Sequence, residues 1–295
     1  MSTDINIVYH LGAPNTDNEQ VTWSLRKDAN LLTDMGIMIR RPKGYRAALA
    51  KMIGELDGER PSTADQEELM SSIIRGGDVK RLIMSNSNFM GIPSWMFYSG
   101  HFYVNAAKNT ATIRNLFPDN PCEFFLGIVN PATFIPSVFK SQTEKTYEQF
   151  MENIDLAQVR WSDVIERIQA ANPDCPITIW ANEDTPIIWP TVLREIAGLE
   201  PDTRLSGELD IIREIISEEG TELLEDYLEK RPQLPDEQRR KILGMFLEKY
   251  YLEDAVDETI DLPGWTEETV DALTEIYEHD LDEIQQLPNV KVIAL

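Results

Sequence analysis

Cysteine, histidine and positive charge are all scarce in this chain of 295 residues. Its two cysteines, Cys122 and Cys175, are too few for a disulfide framework, and with three histidines they form no recognisable set of metal ligands. The 27 Lys and Arg residues face 51 Asp and Glu residues, which gives a formal net charge of −24. Because this much negative charge repels nucleic acids and anionic membranes, we expect neither as a partner. We expect no metal because no set of ligands is recognisable.

Long apolar runs are missing as well. No stretch approaches the roughly 18 to 20 apolar residues that a membrane-spanning helix needs, and the N-terminus carries no signal-peptide pattern. The acidic run at residues 253–261 lacks the glycine and the acid spacing of a calcium-binding EF-hand loop. The sequence therefore predicts a soluble, cytoplasmic protein without a calcium site.

Short apolar runs alternate with longer helical patterns through residues 1–200. Four such runs lie at residues 5–11, 80–84, 123–129 and 176–181, and residues 37–39 form either a small strand or a turn. Strands that alternate with helices of about ten or more residues are typical of βαβ units. We therefore predict an α/β fold with a parallel sheet flanked by helices.

The pattern changes at Pro201, after which helices alone are predicted until a possible closing strand at residues 290–293. Residues 201–295 hold 26 acids and 9 bases, so −17 of the −24 net charge lies in this last third. We predict an α/β core at residues 1–200 and an acidic helical cap at residues 201–295 that is continuous with the core.

Residues 5–20 are the segment on which the interpretation of the remaining sequence depends. An apolar run ends in Gly12 and Pro14, crosses a polar loop and enters a helical pattern that places Val21, Leu25, Leu32 and Met35 on one face. In open α/β sheets, a first strand-to-helix loop of this kind holds phosphates on backbone N–H groups. The loop has no cation and carries the carboxylates of Asp17 and Glu19, so its own chemistry disfavours an anion.

This loop resembles the phosphate-binding loop of the sulfotransferase family, which runs Gly-Ala-Pro-Lys-Thr-Gly-Thr-Thr. In that family the loop cradles the 5′-phosphosulfate of 3′-phosphoadenosine 5′-phosphosulfate. The chain keeps the family residues at Gly12, Ala13, Pro14 and Thr16. It has Asn15 where the family has Lys, Asp17 where it has Gly, and Asn18 and Glu19 where it has the hydroxyl pair.

A second match follows the apolar run at residues 123–129. The family has Arg-Asn/Asp-Pro after a strand, with a Ser eight positions beyond the Arg, and this Arg and Ser bind the nucleotide 3′-phosphate. Here Asn130, Pro131 and Ser137 fit the pattern, but Val129 stands at the Arg position. The resemblance implies a nucleoside-triphosphate-hydrolase-like fold of the P-loop type. It also implies a set of cofactor-binding positions, namely Gly12, Ala13, Pro14, Asn15, Thr16 and Ser137.

Both matching motifs lack their charged residue. A hydrogen bond to a charged group contributes about 1.5 to 3 kcal/mol, so the loss of Lys and Arg removes about 3 to 6 kcal/mol, or roughly 10²- to 10⁴-fold in affinity. We therefore expect a degenerate nucleotide site without a bound cofactor. The protein would be a non-catalytic binding or interaction protein for an unknown small molecule or protein partner.

Two enzyme hypotheses remain beside this one. The first is an active sulfotransferase that moves a sulfuryl group from 3′-phosphoadenosine 5′-phosphosulfate to a hydroxyl or amine, with His10 or His101 as base and Arg40, Arg41 or Arg46 supplying the missing cation. The second is a different enzyme that uses the same cleft for a neutral or cationic substrate.

Each candidate side chain also has a structural explanation. His10 ends a strand, where backbone groups can satisfy it, and His101 lies in an aromatic loop that can pack on the core. His279 stands between Glu278 and Asp280, which is typical of a solvated acidic helix face. The carboxylates of residues 183 and 184 fall between a strand and a helix, where we expect them to cap backbone N–H groups.

Overall fold

A computed structural model describes residues 4–16, 19–252 and 262–295 of the chain. Asp17 and the acidic run at residues 253–261, both considered above, lie outside the described residues. Within the described residues, no helix combines the length and the apolar character that a membrane crossing requires.

Six strands form a sheet in which every neighbouring pair is parallel. They are β1 (Asn6–His10), β2 (Ile37–Arg40), β3 (Arg81–Ser85), β4 (Cys122–Ile128), β5 (Ile177–Ala181) and β6 (Val290–Ile293). Helices cover both faces of the sheet, which explains why the central strands are apolar on both sides. The predicted α/β class and the parallel sheet flanked by helices are confirmed, and the arrangement is compatible with a P-loop-like fold.

The strand order is β2-β3-β1-β4-β5-β6. The chain therefore moves from β1 to one edge of the sheet, returns beside β1 as β3, and then crosses to β4 on the other side. In open α/β sheets, ligands bind outside the carboxyl ends of the strands at the point where the order reverses. In this fold that point is β1 with its two neighbours.

The helices of the described residues alternate with these strands. They are α1 (Gln20–Arg26), α2 (Ala29–Asp34), α3 (Arg46–Leu56), α4 (Thr63–Ile73), α5 (Ala106–Arg114), α6 (Pro131–Ser141), α7 (Tyr147–Met151), α8 (Trp161–Ala171), α9 (Thr185–Ala197), α10 (Asp210–Ile215), α11 (Glu218–Glu229), α12 (Asp236–Tyr250) and α13 (Glu267–Ile284). Helices α1, α2 and α9 pack on one face of the sheet, and α3 to α8 with α13 pack on the other. Helices α10 to α12 form a smaller apolar cluster next to α9.

The first helix differs from its prediction. The pattern from Val21 to Met35 predicts one helix, but the structure has α1 and α2 with a break at residues 27–28. Asp28 leaves the helical conformation, and its carboxylate accepts hydrogen bonds from the backbone N–H and the hydroxyl of Ser206, each at 2.7 Å. Met35 is 43% exposed and does not join the buried face that the pattern predicts.

The acidic last third is tied to the rest of the molecule by buried ion pairs. Glu208 accepts from Arg239 at 2.8 Å and pairs with Arg194 of α9 at 3.4 Å, and all three residues are at least nine-tenths buried. Asp210 accepts from the hydroxyl of Ser24 on α1 at 2.7 Å. The strand predicted at residues 290–293 is present as β6, which pairs with β5.

Candidate functional site

A polar cleft of about 310 Å³ lies at the carboxyl ends of β1 and β3, beside the point where the strand order reverses. Its lining comes from the loop after β1, the loop after β3 and the start of α3. The residues are Ala13, Asn15, Glu19, Arg46, Ser85, Asn86, Ser87 and Asn88. We take this cleft as the candidate site because its position is the one where α/β sheets bind ligands.

The two loops that form the cleft are held in contact. The Asn86 N–H donates to the carbonyl of His10 at 3.1 Å, which continues the pairing of β1 and β3 beyond the strands. Gly12 has φ +60°, and a Cβ added to it would lie 3.0 Å from the Cα of Ser87. A residue with a side chain would therefore be strained in this conformation and would crowd the facing loop, so Gly12 fits a structural requirement of this loop.

Residues 13–16 form a turn whose first and last residues are joined by hydrogen bonds. The carbonyl of Ala13 accepts from the Thr16 N–H at 3.4 Å and from the Thr16 hydroxyl at 2.8 Å. Pro14 occupies the second position of this turn, and Asn15, with φ +59°, occupies the third, which are the features of a type II turn. Both donors of Thr16 are thus used within the loop, whereas a phosphate-binding nest directs successive N–H groups toward the anion.

The cleft carries one cation and one carboxylate among its described lining residues. Arg46 and Glu19 are exposed, and they form no ion pair with each other. Tyr45 directly precedes Arg46, is 1% exposed, and donates to the carbonyl of Ser85 at 2.5 Å. Burial raises the pKa of Tyr45 and outweighs the opposing effect of the Arg46 charge, so this phenol stays protonated and cannot serve as a base at neutral pH.

His10 lies in the interior behind the cleft. It is 1% exposed, its Nδ1 is 2.8 Å from the Ser85 hydroxyl, and its ring stacks on Trp180 with the centroids 5.7 Å apart. It points to the side of the sheet covered by α1 and α9, and it is not among the residues that line the cleft. A catalytic role for His10 would require its ring, which is buried in this structure, to become accessible to a substrate.

His101 lies elsewhere. It is exposed and lines a separate cleft of about 280 Å³ together with Arg160, Asp163 and Arg167. The two candidate bases are therefore not brought to one site, and neither His10 nor His101 shares a cleft with Ala13 and Asn15.

The second motif lies at the end of β4, which is the neighbour of β1 in the sheet, as the resemblance requires. Val129 directly follows β4, and its carbonyl accepts from the indole of Trp161 at 2.8 Å. Asn130 caps α6 through its side-chain oxygen, which accepts from the Ala132 N–H at 2.9 Å. Ser137 is half-buried in α6, outside the residues that line the cleft.

The start of α6 already contacts an anion of the protein itself. The backbone N–H of Asn130 donates to the Glu183 carboxylate at 2.7 Å, and the other oxygen of Glu183 accepts from the Tyr277 hydroxyl at 3.1 Å. The side-chain amide of Asn130 donates to Thr274 at 2.9 Å. Helix α13 thus reaches this edge of the sheet, a contact that no local pattern in the sequence indicates.

Of residues 183 and 184, both expected to cap backbone N–H groups, Glu183 does so at the start of α6 and Asp184 does not. Asp184 stands at the N-cap position of α9 but makes no side-chain capping hydrogen bond, and Glu183 bonds to the loop after β4 instead of the helix that follows it. Burial raises the pKa of the Asp184 carboxyl. A carboxyl with a raised pKa at the carboxyl edge of a sheet is a further candidate for a functional group.

A larger cavity, of about 890 Å³, lies at the opposite edge, among α3, α5 and α8 and the residues before β4 and β5. We give it less weight because ligands of α/β sheets bind at the carboxyl ends of the strands, not at the amino ends. In the part of the chain that the structure describes, no group of three or more His, Cys, Asp or Glu side chains is arranged to hold a metal ion.

No protein-family model matches this chain, and a search of curated proteins finds no significant match. The resemblance to sulfotransferases therefore rests on the two motifs and on a fold that is compatible with them.

Proposed function

We propose that this protein is a non-catalytic binding protein built on a sulfotransferase-like α/β fold, and that its cleft beside β1 takes a small polar ligand other than a phosphosulfate nucleotide. The main observation in support is the turn at residues 13–16, in which the N–H and the hydroxyl of Thr16 both donate to the carbonyl of Ala13. To hold a phosphate, these groups would have to leave hydrogen bonds that the loop already makes.

Two carboxylates support the same proposal. Glu19 lines the cleft at the position where the family has a hydroxyl, and Glu183 holds the N–H of Asn130 next to the position where the family has Arg. At about 4 Å and an effective dielectric constant near 20, two like charges repel by about 4 kcal/mol. A nucleotide with phosphates at both ends would meet a carboxylate at each.

Calorimetry with adenosine 3′,5′-bisphosphate at low salt tests the proposal. We expect no measurable heat of binding for the parent protein. A positive control is the variant that combines Asn15→Lys, Asp17→Gly and Val129→Arg, together with Glu183→Gln to remove the negative charge beside the Asn130 N–H. This variant should gain part of the roughly 3 to 6 kcal/mol assigned to the two lost cations. Low-micromolar binding by the parent would contradict the proposal.

An active sulfotransferase is the second candidate function, and Arg46 is the observation that favours it. Its guanidinium lines the same cleft as Ala13 and Asn15, and it forms no ion pair with any described residue. It could therefore take the place of the missing lysine. If the parent binds the bisphosphate and Arg46→Ala abolishes this binding while Lys43→Ala does not, the enzyme hypothesis replaces the first one.

A further inference from the structure

Positive charge gathers at one corner of this acidic molecule, beside the outer strand β2. We call this group the basic corner, and it consists of Arg26, Arg40, Arg41, Lys43, Arg46 and Arg75. No member forms an ion pair within the described ranges, whereas other arginines such as Arg114 and Arg239 do. Unpaired cations thus concentrate where β2 ends and α3 begins.

Arg40 is the centre of the basic corner. A Cβ added to Gly44 would lie 3.1 Å from its Nη2, so the guanidinium is packed against the backbone of this turn. Its Nε is buried and has no hydrogen-bond partner in the described structure. Burial lowers the pKa of Arg40, and the like charges of Arg75 and Arg26 lower it further. The fold therefore holds three cations together against their mutual repulsion.

The same corner exposes an aromatic ring. Trp23 on α1 is 45% exposed, and the Arg41 guanidinium lies 4.2 Å from its ring centroid. A cation over an indole face is favourable and orients both groups. Trp and Arg are also the residues that most often dominate the binding energy of protein interfaces.

We propose that the basic corner is the docking surface for a short acidic segment of another protein. Charge complementarity is the argument for an acidic partner, and the uncompensated repulsion around Arg40 is what such a partner would relieve. Trp23 offers an apolar contact for a side chain of that segment. A nucleic acid fits less well because its long row of phosphates would extend beyond the corner onto a surface that is strongly acidic.

The salt dependence of this docking has a distinctive form. At about 0.01 M salt the screening length is about 30 Å, so a peptide senses the whole molecule and its net charge of −24. At about 0.15 M the screening length is about 8 Å, so only the basic corner acts, and at about 1 M this attraction is screened too. Binding should therefore be strongest at intermediate salt.

A fluorescent oligoglutamate peptide and anisotropy measurements test the proposal on the full chain. The test variant carries Arg26→Gln, Arg40→Gln and Arg75→Gln, and the matched control carries Lys108→Gln, Lys140→Gln and Lys249→Gln, which removes the same charge from exposed cations elsewhere. We expect the parent and the control to bind, and the test variant to bind at least about tenfold more weakly. Thermal melts should show the test variant to be at least as stable as the parent, because repulsion has been removed.

Several outcomes would overturn the proposal. The first is the absence of peptide binding at about 0.15 M salt, and the second is an equal loss of peptide affinity in the two triple variants. The third is tighter binding of a single-stranded oligonucleotide of matched charge. The fourth is a test variant less stable than the parent, which would give the three arginines a structural role. Salt-sensitive self-association that disappears in the test variant would identify a second copy of this chain as the occupant and would likewise replace the separate partner.

Discussion

Asp280 of α13 should be one of the most important side chains for stability. It is 2% exposed, and its carboxylate accepts from the backbone N–H of Trp161 at 2.6 Å, from the N–H and hydroxyl of Ser162, and from Arg160 at 3.3 Å. These groups form the start of α8, so a carboxylate from the last third of the chain caps a helix of the predicted core. Asp280 and the residues that it contacts at the start of α8 are more than a hundred positions apart in the sequence.

Replacing Asp280 by Ala leaves the buried N–H groups of Trp161 and Ser162 without their acceptor, whereas Arg160 keeps its ion pair with Glu283. A buried donor that loses its acceptor costs about 1 to 3 kcal/mol, and the loss of a helix cap, about 0.5 to 2 kcal/mol, is part of the same total. We expect a loss of about 3 to 5 kcal/mol in the free energy of unfolding for Asp280→Ala, and a smaller loss, about 2 kcal/mol, for Asp280→Asn.

Urea unfolding provides the measurement, since a lower midpoint at an unchanged slope reports a change in stability. Asp282→Ala is the matched control because Asp282 lies on the same helix and is exposed, so we expect a change within about 0.5 kcal/mol. If Asp280→Ala costs less than about 1 kcal/mol, α13 does not hold α8 in the way these contacts indicate.

Three further outcomes follow from single positions. A Cβ at Gly207 would lie 2.6 Å from the Cβ of Ser24, so Gly207→Ala should cost about 1 to 3 kcal/mol in urea unfolding, whereas Gly54→Ala, with open space around it, should not destabilise. Burial raises the pKa of Asp184, so the charged carboxylate destabilises the folded protein at a pH above that pKa. We therefore expect Asp184→Asn to raise the melting temperature at pH about 7 and to raise it less as the pH falls. An unchanged melting temperature at pH about 7 would contradict this. Burial also raises the pKa of Cys122, so a thiol reagent should modify it only after unfolding, and rapid labelling of the native protein would refute this.

The sheet could be predicted from sequence because its strands are apolar runs bounded by Pro and Gly. The runs predicted at residues 80–84, 123–129 and 176–181 correspond to β3, β4 and β5 within one or two residues. A helix end can be recognised in a sequence where its cap is local, as at Ser62, which forms a capping box with Asp65. The break between α1 and α2 was not predictable, since it depends on Ser206, which is distant in sequence.

The candidate site was predictable only in its position. The loop after β1 does line a cleft, but the closure of its turn depends on hydrogen-bond geometry that residue types do not specify. The acidic neighbours of Asp280 predict a solvated helix face, whereas its side chain is buried. Arg46 was considered among several cations, and only the folded structure places it in the cleft.

Glu183 and Asp280 share a physical role that bears on the proposed function. Each is a carboxylate of the protein that accepts a backbone N–H at the start of a helix, α6 for Glu183 and α8 for Asp280. A tethered carboxylate is already held at its donor, so a free anion must displace it and also lose translational and rotational freedom on binding. Donors of this kind can hold a phosphate at a helix start, and in this chain they are satisfied internally. These internal hydrogen bonds stabilise the two helix starts in the absence of any ligand, which agrees with the proposal that the protein binds no phosphosulfate nucleotide.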